Sequence, residues 1–328
     1  MITLRPHQQE ALEAMQQHDK GQVIIPTGGG KTICMIQDYL KHEHLGCRTT
    51  VVVAPRILLA EQLCKEFLEM LPSDYMVAVY HVHSGETEHF SSTKPALIAN
   101  WHRQAYSNKL IFTTYHSLHK VQEAGIKVDT IYFDEAHNSV QRNFFPATEH
   151  FSNNADRCYF FTATPKHSLT IFKPGMNDPA VYGQVICNVP APKLVEEGYI
   201  LPPKVVVKEL PRGEYQQSDC QNLLETLDDH EPGKVLIAAR STKQIMRLIS
   251  ESDFCAQLQV RDYNWMVITS KSGAIINGQK VTREQFFNTL NAWGRDDKKF
   301  VCIHHSILSE GINVKGLDAV LFMRNMDY

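Results

Sequence analysis

The sequence predicts an α/β protein of two domains, each a mostly parallel sheet flanked by helices. Short apolar runs rich in branched and aromatic residues alternate with helix-patterned stretches along the 328 residues. That alternation stops once, in a Pro-rich stretch at 188–203, and then restarts. A glycine-rich cluster and an acidic cluster each follow the end of an apolar run. Continuous apolar strands separated by helices belong to sheets covered on both faces. Ligands of such sheets gather at the carboxyl ends of the strands.

In chain order, strands are expected at residues 22–25, 50–53, 110–113, 130–133 and 159–162, all short and dominated by branched and aromatic residues. A helix is expected over 33–41. Another is expected over 58–71, where apolar residues recur at 59, 63, 67, 68 and 71. Pro190, Pro192, Pro202 and Pro203 bracket a short helix-like piece, which sets the division at 1–190 for the first domain, 191–203 for a linker and 204–328 for the second domain. There, strands are expected at 235–238, 265–268, 300–303 and 319–322, with one helix ending near Ile249 and another over 283–293.

Hydrophobic residues make up 43% of the chain and charged residues 21%, the range of a globular protein rather than a disordered one. Lys and Arg number 33 against 36 Asp and Glu, a net charge of −3. Any contact with nucleic acid must therefore come from a local basic track or from backbone amides, not from bulk charge. The eight cysteines form no C-x-x-C pair and sit in apolar runs such as Val301-Cys302-Ile303, which suits buried thiols in a reducing compartment. His42/His44 and His81/His83 have no carboxylate or Cys cluster beside them in sequence, so no metal site is expected there. No apolar segment reaches the length of a membrane span and the N-terminus lacks a signal pattern, so the expectation is a cytoplasmic protein without membrane contact.

Pro26-Thr27-Gly28-Gly29-Gly30-Lys31-Thr32 stands between a predicted strand and a predicted helix. Successive glycines let backbone N–H groups converge on a phosphate, and the helix N-terminus adds a partial positive charge. Lys31 would reach the β- and γ-phosphates of ATP, and the Thr32 hydroxyl would hold Mg2+. The spacing departs from G-x-x-x-x-G-K-T, because Ile25 stands where the first glycine would be. A glycine turn with an exposed lysine is the rival reading. After 130–133 comes Asp134-Glu135-Ala136-His137. A carboxylate there is placed to hold Mg2+ beside the phosphate loop, and Glu135 to polarise the attacking water as general base. Alone, the acidic string also fits a solvated helix start.

Together these clusters resemble motifs I and II of superfamily-two (DEAD/DEAH-box-like) helicases, and further motifs follow in order. Leu4-Arg5-Pro6-His7-Gln8 resembles the adenine-recognition motif. Residues 54–62 are similar to motif Ia, and Thr113-Thr114-Tyr115-His116-Ser117-Leu118 to the next nucleic-acid-contacting motif. Thr162-Ala163-Thr164-Pro165 looks like motif III, and residues 235–241 like motif IV. Leu308-Ser309-Glu310-Gly311-Ile312-Asn313 resembles motif V, with Asn313 where many members carry Asp. Residues 194–200 resemble the interdomain connection of phage recombination helicases and type I restriction motor subunits.

The resemblance implies two RecA-like domains with the ATP site in the cleft between them. It implies an ATP hydrolase that travels along nucleic acid, DNA rather than RNA. Lys31, Asp134 and Glu135 become the catalytic residues, and Thr32 and Asp134 the Mg2+ ligands. Gln8 becomes the adenine partner, with Arg5 in the same motif. Thr27, Gly28, Gly29, Gly30, Lys31 and Thr32 form the phosphate loop, and His137, Gly311 and Asn313 complete the nucleotide site. Arg56, Thr113 and Thr114 in the first domain, with Ser241 and Ser309 in the second, would hold the phosphate backbone without reading bases. A capping hydroxyl or a solvated arginine is the rival for each.

The family's motif VI, with its arginines, has no counterpart after 319–322, although Arg324 stands close by. Slow ATP turnover by this chain alone is therefore expected, with a protein partner in a larger complex as one source of the missing arginine. Two other readings stay open: a duplex translocase subunit that does not separate strands, and a nucleotide-gated DNA-binding module.

Overall fold

Residues 2–42, 46–200, 218–269, 273–305 and 316–323 are described by a computed structural model of the protein. The chain divides into two units, Met1–Pro203 and Lys204–Tyr328.

The first unit runs α1 (Pro6–Gln17), β1 (Lys20–Ile24), α2 (Lys31–His42), β2 (Thr49–Ala54), α3 (Ile57–Met70), β3 (Val77–Val82), β4 (Phe90–Ser91), α4 (Pro95–Gln104) and β5 (Asn108–Thr114). It continues through α5 (Leu118–Glu123), β6 (Thr130–Phe133), a 3-10 helix (Ala136–Val140), α6 (Phe145–Asn154), β7 (Arg157–Thr162), α7 (Pro179–Tyr182), β8 (Val185–Asn188) and α8 (Ala191–Glu196). The eight strands form one sheet in the order β4-β3-β5-β2-β6-β7-β1-β8, and every described pairing is parallel. β2, β6 and β7 are buried at every position, as their unbroken apolar and Thr-rich runs require of central parallel strands. At one edge β4 is short and leaves Phe90 exposed.

Side chains alternate between the two faces of this sheet. Val51, Val53, Ile131, Phe133, Cys158 and Phe160 enter one core cluster, closed by Phe151 and Tyr182. The Phe160 ring lies 4.8 Å from Phe133 and 4.7 Å from Tyr182 between centroids. Burying a phenylalanine of this kind is worth about 1.5–3 kcal/mol. On the other face Tyr132 and Tyr159 stack at 6.2 Å. Their hydroxyls donate to Asp38 of α2 and to the Met15 carbonyl of α1.

The sheet order puts β6, β7 and β1 side by side although they are distant in sequence. Ile24 is in register with Thr162, and Phe133 with Phe160. The segments that follow these three strands therefore leave the sheet at one end, next to each other. That end is where the glycine loop and the acidic cluster meet.

The second unit contains α9 (Asp219–His230), β9 (Lys234–Ala238), α10 (Thr242–Ser250), α11 (Phe254–Val260), β10 (Asn264–Thr269), β11 (Gly273–Ile276), β12 (Gln279–Val281), α12 (Arg283–Arg295), β13 (Phe300–His304) and β14 (Ala319–Phe322). Its sheet has the order β12-β11-β10-β13-β9-β14. The pairs β10-β13, β13-β9 and β9-β14 are parallel, while β10-β11 and β11-β12 are antiparallel. This hairpin was not expected from the run of strands. Its cause is the Asn277-Gly278 dipeptide, whose φ values of 47° and 86° make the tight turn between β11 and β12. α9 and α12 begin at capping boxes, Ser218 with Gln221 and Thr282 with Gln285.

All eight cysteines are free thiols. Among the described residues, no helix is long and apolar enough to cross a membrane.

Candidate functional site

β1 ends at Ile24, and the Ile25 N–H donates to the Thr162 carbonyl at 3.1 Å, which ties the start of the glycine loop to the end of β7. The loop then turns with the Gly29 N–H donating to the Pro26 carbonyl at 2.9 Å. Gly28 and Gly30 have φ of 82° and 79°, backbone that side chains rarely adopt. A Cβ on Gly30 would also land on the Gln8 amide. α2 begins directly afterwards at Lys31, so its free N–H groups and dipole face whatever the loop encloses.

The loop is held from behind by α1. Gln8, buried, donates from Nε2 to the Gly29 and Gly30 carbonyls at 3.4 and 3.3 Å, and its Oε1 accepts the Arg5 N–H at 2.9 Å. His7 Nε2 donates to the Gly29 carbonyl at 2.6 Å. Gln8 therefore shapes the glycine loop itself. The Arg5 guanidinium lies 5.0 Å from the centre of the Tyr199 ring, and His7 packs on the same ring at 5.6 Å.

In front of the loop stand the acidic residues. Lys31 Nζ donates to Glu135 Oε1 and lies 3.6 Å from Asp134 Oδ1. The three side chains are only 14%, 12% and 8% exposed, so their charges interact through a poorly polarisable medium. Asp134 Oδ1 is buried and has no hydrogen-bond partner. Burial, offset in part by Lys31 and reinforced by Glu135, pushes the Asp134 carboxyl up to about 6. For Lys31, burial works to lower the pKa, but the two carboxylates outweigh it and the net shift is upward.

The backbone at this point is unusual as well. Glu135 has φ 48° and ψ 52°, a left-handed conformation for a residue with a full side chain, worth about 1–3 kcal/mol of strain. That turn carries the chain from β6 into the 3-10 helix. Tyr115 pins it from within the core, its hydroxyl donating to the Asp134 carbonyl at 2.7 Å. His137 Nδ1 lies 3.6 Å from Glu135 Oε2 and 2.9 Å from Thr162 Oγ1. The same Thr162 oxygen accepts the Thr164 N–H at 3.1 Å. The acidic cluster is thus connected to the segment after β7 by two hydrogen bonds.

The structure brings together Gln8, Gly29, Gly30, Lys31, Asp134, Glu135 and His137. Thr27 and Gly28 lie exposed on the same loop, and Thr32 lies partly buried in the first turn of α2. Asp134 and Thr32 supply the hard oxygen donors that suit Mg2+, and the Asp134 oxygen that lacks a hydrogen bond fits a metal ligand.

The sequence-predicted backbone contacts fare differently. Arg56 is the N-cap residue of α3. Thr113 requires a correction: it is wholly buried, and its hydroxyl donates to the Val82 carbonyl at 2.8 Å, which leaves it no face for a phosphate. Thr114 is also buried, at the end of β5. Ser241 caps α10 by accepting the Gln244 N–H at 3.1 Å, the rival role weighed for it. Ser309, Gly311, Asn313 and Arg324 lie outside the described residues. His7, Tyr115 and Thr162 were not singled out, although each sits inside a motif string; nothing in the string marks which side chain turns inward.

Residues 1–167 match the family model described as type III restriction enzyme, res subunit. Among solved structures, the chain is similar to the ATP-dependent Type ISP restriction-modification enzyme LlaBIII bound to DNA, with a TM-score of 0.69 and 18% identity over 98% of this chain and 26% of that one. It is also similar to a nuclease-deletion mutant of the Type ISP enzyme LlaGI in complex with a DNA substrate mimic, with a TM-score of 0.63 and 18% identity over 97% and 25%. The chain spans about a quarter of the length of either enzyme. At such identity the likeness is one of fold. No curated protein matches the sequence.

Proposed function

The chain belongs to the family of the type III restriction enzyme res subunit, and from that footing we propose that it is an ATP-driven helicase or translocase motor acting on DNA. The observation that carries this reading is the buried trio Lys31, Asp134 and Glu135 at the mouth of the glycine loop, with one Asp134 oxygen buried without a hydrogen bond. A purely structural ion pair would bring that oxygen within hydrogen-bond distance of its partner.

In this reading the Gly28–Gly30 backbone and the α2 N-terminus bind the phosphates. Lys31 exchanges its Glu135 partner for a phosphate oxygen, since both compete for one ammonium. Glu135, released, accepts the proton of the attacking water. Asp134 and Thr32 hold Mg2+, which when bound neutralises charge on the β- and γ-phosphate oxygens. His137 and Thr162 relay the state of the acidic cluster to the segment after β7. Arg56 at the start of α3 contacts the DNA backbone. The two units serve as the two RecA-like domains, joined through 191–203. Because the two similar structures were captured with DNA or a DNA mimic, DNA is the proposed track.

The test is ATP hydrolysis titrated with single-stranded DNA, duplex DNA and RNA. We expect hydrolysis that depends on Mg2+ and rises with DNA more than with RNA. Absence of nucleotide binding under all conditions would overturn the reading. Strand-displacement and triplex-displacement assays then separate a helicase from a duplex translocase.

A further inference from the structure

We propose that Cys64, His81 and His89 form a metal-binding site in the first unit, suited to Zn2+ and distinct from the nucleotide site. Cys64 is on α3, His81 on β3, and His89 directly precedes β4. One ligand atom from each lies within 4.8 Å of the others, in a group that a single ion can draw together. The sequence hid this arrangement, because the cysteine is far from the two histidines along the chain and only the packing of α3 on the sheet edge joins them.

Two observations separate this cluster from a chance meeting of core side chains. The first is an unfilled atom. His81 is 1% exposed, and its Nε2 is buried without a hydrogen-bond partner. Its other nitrogen, Nδ1, is occupied by His83 Nε2 at 3.1 Å, while His83 Nδ1 accepts the Gly85 N–H at 3.1 Å. Since a backbone N–H can only donate, His83 gives its proton to His81 Nδ1. The proton of His81 is then left on Nε2 with nothing to receive it, and a buried donor so placed is costly. A metal ion at Nε2 removes the cost once the His81 proton has moved to Nδ1, where it donates to His83 Nε2, with the His83 proton passing to its own Nδ1 and the Gly85 N–H turning away. Only the thiol proton of Cys64 leaves, one proton per ion bound.

The second observation is preorganisation. The His81 ring is fixed between His89 and Phe112, stacked on each at 5.6 Å. His83 sits behind it as the hydrogen-bonded partner that metal-ligating histidines regularly have. Cys64 is buried, whereas His89 is only partly covered and lines an open depression with Glu88, Phe90 and Trp101, which gives an ion a way in from solvent. One thiolate and two imidazoles suit Zn2+ and leave a fourth position for water. Such an ion would fasten the 83–89 turn to α3, the helix that begins beside Arg56.

The experiment uses the whole chain, stripped with a chelator and titrated with Co2+ as a spectroscopic stand-in, then with Zn2+ in competition. We expect one equivalent to bind, with a thiolate-to-cobalt charge-transfer band that Zn2+ abolishes. Cys64→Ser should lose the band. His89→Ala, which removes the partly covered ligand, should weaken binding by about 10-fold or more. Cys47→Ser, which removes an exposed thiol elsewhere, should change nothing. Failure to bind one equivalent, a band that survives Cys64→Ser, or unchanged affinity in His89→Ala would each overturn the proposal.

Discussion

Helix α2 carries a buried ion pair at each of two positions, and they are built differently. At Asp38 both carboxylate oxygens are filled. Arg157 donates to them at 2.6 and 2.8 Å, Tyr132 donates a hydroxyl, and Gln16 adds a bond at 3.1 Å. Arg157 is itself completed by the Met15 carbonyl and by the Tyr159 ring at 4.9 Å. At Lys31 the partner set is incomplete. One Asp134 oxygen has no hydrogen bond, Asp134 is shifted toward its neutral form, and Glu135 sits on strained backbone. Both clusters cost desolvation. Only the first is repaid entirely within the chain, which marks it as a fastening of α2 to β6 and β7. The second is the one that the proposed function has a ligand complete.

The sharpest way to break this contrast is Glu135→Gln, which keeps size and hydrogen bonding but removes the base. We expect hydrolysis to fall by about 10²–10⁴-fold while Mg·ATP still binds, read from single-turnover kinetics and nucleotide binding side by side. Unchanged turnover would move the base elsewhere.

Asp38→Ala should act on stability instead. Leaving Arg157 buried and unpaired should cost about 3–5 kcal/mol, measured by denaturant unfolding of the first unit's signal. A loss below about 1 kcal/mol would mean that the pair is solvated in practice.

Asp134 should show its shift as a pH dependence. The folded chain retains the Asp134 proton up to about 6, above the ordinary aspartate value of 3.8. Without metal, stability should therefore decline as pH rises through that window, by of order 1–3 kcal/mol, and Asp134→Asn should remove the decline. Mg2+ needs the ionised form, so Mg·ATP binding should weaken as pH falls through about 6, with the midpoint moving lower as Mg2+ is raised. A midpoint insensitive to Mg2+ would take Asp134 out of the metal site.

The smallest effect belongs to Arg56→Ala. Loss of one backbone contact should weaken DNA binding by a similar factor on every sequence and reduce the salt slope by about 1. A sequence-dependent loss would point to base contact.

These differences bear on what the sequence could disclose. Central strands such as β2, β6 and β7 were legible within a residue or two because burial on both faces writes itself as an unbroken apolar run. The glycine loop and acidic cluster were legible as strand-end segments because each follows an apolar run, and the sheet order brings those ends together. β11 and β12 were missed although Asn277-Gly278 announced a tight turn. The Asp38–Arg157 pair could not be read, since its partners are distant in sequence and no local pattern joins a charge in a helix to one in a strand. Thr113 failed for a related reason: position after an apolar run does not say which way a hydroxyl points. Cys64 and His81 belong with Asp38, brought together only by the fold.

In the proposed function Lys31 binds nucleotide and Glu135 hydrolyses it, separate tasks in one cluster. The most direct measurement is Mg·ATP affinity, by fluorescent nucleotide titration, for the parent chain, Lys31→Ala and Glu135→Gln under one set of conditions. We expect Glu135→Gln to bind at least as tightly as the parent, because Lys31 is released from its carboxylate partner, and Lys31→Ala to lose measurable binding. Equal affinity in all three would contradict the assignment of this cluster to ATP.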